Sequence, residues 1–162
     1  MPDMAEHMRA LAEATGWTSL ATPDSAGVYR VSLENDLDAT FFALNGRTCL
    51  IRGIVAELPA SEAEALCAEA ASKQVAVLRE RPSILALEEV GEFSVPGENS
   101  TIPCLICFRC VPLSADRETF MLEVQGLLND LSWWKSTMGH SETGKTHVNA
   151  IFSAEMFSGL KL

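Results

Sequence analysis

Apolar and polar residues alternate along this chain with two different periods, and the switches between the periods mark out its elements. Over "DMAEHMRALAEAT" (3–15), Met4, Met8, Leu11 and Ala12 recur at helical spacing, with Asp3 placed to cap and Gly16 placed to stop. "GVYRVSLEN" changes to a period of two, Tyr29, Val31 and Leu33 against Arg30, Ser32 and Glu34, which predicts a half-buried strand. "DATFFALNGRTCLIRGIVAEL" places two apolar runs around Asn45-Gly46, the dipeptide that best tolerates the positive φ angles of a tight hairpin.

Behind Pro59, Ser61 and Glu64 form the capping-box pattern S-x-x-E. Leu66, Ala70, Val77 and Leu78 then fall near one face until Pro82, predicting a helix of about five turns. "SILALEEV" and "PCLICFRCVPL" read as two further strands around the turn-rich "PGENST". After Ser114, the residues Phe120, Val124, Leu127, Leu128 and Leu131 make the apolar stripe of a last helix ending near Gly139. The order is α-β-β-β-α-β-β-α. It predicts an α+β fold: a mainly antiparallel sheet with helices on one face, forming a single domain over 1–138. Residues 139–162 are expected to be a flexible extension. Val148, Ile151, Phe152, Met156 and Phe157 allow it one more short helix.

With 162 residues, the chain is long enough to bury about two-thirds of its unfolded surface in one core. Its 12 basic and 22 acidic side chains give a net charge of −10, a poor surface for nucleic acid, where phosphate contacts need Lys and Arg. The charge is uneven: 9 basic and 20 acidic residues precede position 132, and 3 and 2 follow it. No run approaches the roughly 20 apolar residues of a membrane span, and the first residues lack the basic and apolar regions of a signal peptide. An odd number of cysteines, 5, agrees with a reducing compartment. The expectation is a cytoplasmic protein with free thiols and no membrane insertion.

Candidate chemistry is sparse. "GHSETGKT" (139–146) satisfies the phosphate-loop pattern G-x-x-x-x-G-K-[ST], in which backbone N–H groups cradle phosphates and the Lys reaches the outer ones. Gly139–Thr146 follows a predicted helix instead of a strand, with 16 residues after it, so the match reads as coincidence and a nucleotide-binding enzyme as the remote alternative. Cys104, Cys107 and Cys110 sit in a strand, which turns the middle thiol to the opposite face. They are expected to be small core hydrophobes and no metal site. His7, His140 and His147 lie near the chain ends and show no catalytic partners. The acidic residues read as solvated faces and caps. No catalytic residue and no cofactor is expected.

Trp133 and Trp134 point about 100° apart on a helix, so at least one belongs at a boundary or interface. Met4 and Met8 suit adaptable apolar recognition. The candidates for binding a partner are Met4, Met8, Leu11, Trp17, Val31, Leu33, Phe41 and Trp134.

The element order resembles the class I type III secretion chaperones of Gram-negative bacteria. The resemblance is carried by "LDATFFALNGRTCLIRGIVAELP", "SEAEALCAEAASKQVAVLRERP" and "FMLEVQGLLNDLSWW" and covers about residues 3–138. It implies a homodimer built around the second helix and the strand after it, here Leu66, Ala70, Val77 and Leu78 with Leu85 and Leu87. It further implies that the dimer holds a partly unfolded effector segment ready for export, without ATP hydrolysis. A sensory or regulatory adaptor like the YbjN-type proteins is the alternative of the same shape.

Overall fold

The computed structural model describes residues 3–16, 20–33, 37–91 and 101–138. Its elements follow the predicted order: α1 (Met4–Thr15), β1 (Tyr29–Leu33), β2 (Leu37–Leu44), β3 (Thr48–Glu57), α2 (Ala63–Val77), β4 (Ile84–Gly91), β5 (Thr101–Pro112) and α3 (Arg117–Met138). The strands form one five-stranded sheet in the order β1-β2-β3-β5-β4, and every neighbouring pair is antiparallel. Because β5 inserts between β3 and β4, β1 and β4 are the edges.

Local chemistry explains most boundaries. Asp3 caps α1 by accepting the Glu6 N–H at 2.9 Å, and the Glu6 carboxylate accepts the Asp3 N–H at 3.1 Å in return. Gly16 closes the helix at φ 72°, and Asn45 (φ 53°) and Gly46 (φ 63°) make the β2–β3 turn. At the start of α3, Asp116 accepts the Thr119 N–H at 2.7 Å, which holds its carboxyl below the usual range. The capping box expected of Ser61 and Glu64 does not form. Glu62 occupies the N-cap position with no side-chain hydrogen bond, and α2 spans 15 residues, about four turns instead of five.

Register divides the sheet into two unlike faces. Residues paired across an antiparallel ladder share a face. The pairs Tyr29 with Phe41, Val31 with Ala39, Phe41 with Ile51 and Cys49 with Val111 therefore line one side. All of these are buried, and all belong to a core cluster to which α1, α2 and α3 each contribute. Leu131 packs onto Gly53, where a Cβ would occupy its place, so this glycine lets α3 approach β3. The opposite face holds Thr40, Phe42, Leu50, Arg52, Ile54, Ile106 and Phe108, and none of them is in that cluster. The helices lie on one face, as the pattern predicted.

Candidate functional site

The structure places most of the predicted partner residues inside the chain's own core. Met4, Met8, Leu11, Val31 and Phe41 are buried, and Trp134 is 0% exposed. A side chain already covered has no apolar surface left to offer, so these six are corrected from partner contacts to core residues. Trp17 and the side chain of Leu33 lie outside the described residues. The boundary indole is Trp133, half-buried with the Arg81 guanidinium 4.7 Å above its ring. Its neighbour Trp134 is enclosed with Nε1 unpartnered among protein atoms. His7 is also structural. Its ring stacks on Phe120 at 4.2 Å and its Nε2 lies 3.0 Å from the Leu113 carbonyl oxygen.

The expected dimer residues divide in two. Leu66 and Ala70 belong to the chain's own core, whereas Val77 and Leu85 are half-buried and Leu78 and Leu87 are exposed. Val75 (82% exposed) extends that open apolar surface along α2.

Sequence reading missed a buried charged cluster that ties this same corner to α3. Asp130, 3% exposed, accepts hydrogen bonds from the Ser83 N–H (3.2 Å), the Ser83 hydroxyl (2.5 Å), Arg109 Nη2 (2.8 Å) and Arg81 Nη1 (3.3 Å). Arg109 also donates from Nε to the Ser83 hydroxyl oxygen (2.6 Å) and from Nη1 to Glu123 (3.0 Å). Its guanidinium crosses α3 at Gly126, where a Cβ would overlap it. Four donors converge on this buried carboxylate and satisfy its oxygens. Two signals for the cluster stand in the sequence: Asp130 interrupts the stripe of Leu127, Leu131 and Trp134, and Arg109 shares strand parity with Cys107 and Val111. The saturation of Asp130 and the burial of Ser83 suit a structural tie and leave no room for a substrate.

The cysteines follow strand parity. Cys107 is fully buried on the helix-covered face, and Cys104 and Cys110 share the other. Burial pushes the thiols of Cys49 and Cys107 up to about 12 and raises Cys104, which also faces Glu57 and Glu88. Cys110 is exposed, which corrects its expected place in the core. No disulfide forms, and among the described residues no three His, Cys, Asp or Glu side chains gather as a metal site would require.

The open face offers a binding surface of mixed character. Arg52 pairs with Glu88 and donates to the Thr40 hydroxyl at 3.1 Å, with its guanidinium 5.6 Å from the Phe42 ring centroid. Beside it lies a depression of about 260 Å³ reaching from Arg30 and Asp38 to Ile54, Ile106 and Val90. Such a surface can take an extended or helical segment with apolar side chains, and the edges β1 and β4 add unpaired backbone groups. The residues leading into Gly139 form α3, so the helix expected before the phosphate-loop pattern is present; the pattern itself lies outside the described residues. Among the described residues no helix is long and apolar enough to cross a membrane.

No protein-family model and no curated protein matches the sequence. Solved structures do match. A chain of the ExsC–ExsE complex aligns with a TM-score of 0.55 at 16% identity, over 85% of this chain and 97% of that one. A chain of the HopA1–SchA chaperone–effector complex aligns with a TM-score of 0.52 at 18% identity, over 82% and 90%. At these identities the likeness is one of fold. With three helices on one face of a five-stranded antiparallel sheet, the chain shares the fold of these two structures.

Proposed function

We propose that the chain is a type III secretion chaperone that binds the chaperone-binding segment of an effector and keeps it soluble and export-competent in the cytoplasm. The observation that carries this reading is the match, over more than four-fifths of the chain, to structures of a chaperone–effector complex and of the ExsC–ExsE complex. The open sheet face and the two strand edges supply surface for an extended client, and the acidic composition supports solubility. The protein acts by binding, without catalysis or a cofactor. It works as a homodimer joined through the apolar patch of α2 and β4, where Val75, Leu78 and Leu87 are exposed in the single chain.

Affinity purification of the tagged protein from its native organism tests the reading. A single co-purifying secreted protein, bound through a segment that becomes insoluble when this chain is absent, is the expected outcome. Purification of the chain alone under conditions in which secretion is active counts against it.

A further inference from the structure

The three helices are held to the sheet unequally. α3 keeps buried residues from Phe120 to Met138, whereas α2 buries only Leu66 and Ala70, both in its first half. Between Ala71 and Val77 no residue is buried, and Val77 is the one apolar side chain that is even half-buried. Apolar burial therefore fixes the start of α2 and contributes little to its last two turns. Those turns and the connection to β4 rely on polar contacts. Gln74 donates from Nε2 to the Ser83 carbonyl oxygen at 3.4 Å, and the Val77 carbonyl oxygen accepts the Glu80 and Arg81 N–H groups at 2.9 and 2.8 Å.

Asp130 completes the attachment, and its two oxygens divide the task. Oδ2 accepts Ser83 and Arg109, and Oδ1 accepts Arg81, whose guanidinium also lies over Trp133 of the same helix. Because α3 is the most enclosed helix, Asp130 is a fixed point, and Arg109 of β5 holds it from the sheet side. The exposed apolar residues lie on both sides of the connection that it grips: Val75 and Leu78 before Arg81, and Leu87 after Ser83. A surface drawn from two elements fits a partner only when those elements keep one mutual position, since any freedom between them is lost on association.

We propose, resting on the homodimer reading above, that Asp130 is a positioning residue for self-association: through Arg81 and Ser83 it holds the last turns of α2 and the start of β4 in the arrangement that a second copy of this chain covers. Asp130 is 3% exposed, so it acts on the contact through these two neighbours and does not touch the second copy. Arg81, with 28% of its side chain exposed, is the member of the cluster that can be removed while the deeper Asp130 and Arg109 pair stays in place.

Two measurements on the full-length protein test this. In chains kept monomeric by Leu87→Glu, Arg81→Ala should speed amide hydrogen exchange over residues 71–81 by about tenfold and leave α3 unchanged. In chains with Leu87 intact, the same Arg81→Ala should raise the dimer dissociation constant, read from sedimentation over a dilution series, by about tenfold. Asp130→Asn keeps the shape of the side chain and removes its charge. If Arg81 acts through Asp130, the double variant should lose less affinity than the product of the two single losses. Losses that multiply in full mean that Arg81 touches the second copy directly, and they overturn the positioning role. Unchanged exchange over 71–81 overturns it as well, as does faster exchange with an unchanged dissociation constant, and both leave the dimer standing. A wild-type chain that stays monomeric at tens of micromolar is a separate result: it defeats the homodimer reading, and the positioning role falls with it.

Discussion

Both faces of the sheet are made from the same strands by the same alternation, yet one is closed and the other open. On the closed side Cys49, Ile51 and Cys107 are 0% exposed and α3 lies against β3 and β5. On the open side Ile54 and Ile84 keep more than two-fifths of their surface in water, and the ion pair Arg52–Glu88 sits partly solvated. A sheet needs one covered face to fold, and a second face rich in apolar atoms needs another occupant. The difference separates what holds the domain together from what is available for binding.

The comparison breaks most sharply at the charges. Asp130→Ala removes the buried acceptor shared by Ser83 and Arg109, which keeps only Glu123 as a carboxylate partner, and should cost up to about 3–5 kcal/mol. The ion pair of the open face is weaker, and Glu88→Ala should cost under about 1 kcal/mol. Urea unfolding of the two variants measures the contrast, and equal losses would mean that the two faces do not differ in this way.

Alkaline pH probes the closed face through its thiols. With the native values of Cys49 and Cys107 near 12 and the unfolded value near 9, the unfolded state loses protons first, so stability is full below about pH 9 and falls above it. At pH 10 each thiol should cost about 1.4 kcal/mol. A double Cys49→Ala, Cys107→Ala variant should show a flatter denaturation midpoint between pH 8 and 10. In the native protein at pH 8, a maleimide should label exposed Cys110 and leave these two intact.

Packing across α3 comes next in size. Gly126→Val sets a side chain where the Arg109 guanidinium passes, and overpacking of this kind should cost about 1–3 kcal/mol. Thermal melts of this variant in the Arg109→Ala background should recover part of the loss. An unchanged loss there would show that Arg109 is not the group displaced.

The smallest effect on stability is expected at the exposed edge. Leu87, 60% exposed, should tolerate Glu within about 0.5 kcal/mol. The same change places a charge in the proposed dimer contact, so light scattering should register a shift from twice the chain mass toward 17.6 kDa. A wild-type protein already at 17.6 kDa at tens of micromolar removes the dimer from the proposal.

Legibility in the sequence followed the range of the interactions. The α1 boundaries, the Asn45-Gly46 turn and the α3 stripe depend on neighbours a few residues apart, and all three stand where the pattern put them. Ser61 and Glu64 carried the same kind of local signal, yet α2 begins at Ala63 without a side-chain cap. Partner residues were the least legible part. Met4, Met8, Leu11 and Trp134 are apolar residues on amphipathic helices, and such residues look alike whether they face a core or a partner.

The sequence by itself determined the elements, their order and the side of each strand that a residue occupies, because caps, turns and periods are set over distances of one to four residues. Tertiary structure alone decided which side of the sheet the helices cover, which of two adjacent tryptophans is enclosed, and that Ser83, Arg109 and Asp130 meet. Those outcomes join residues 21 to 47 positions apart or compare two faces of equal alternation, and local spacing carries no information about either.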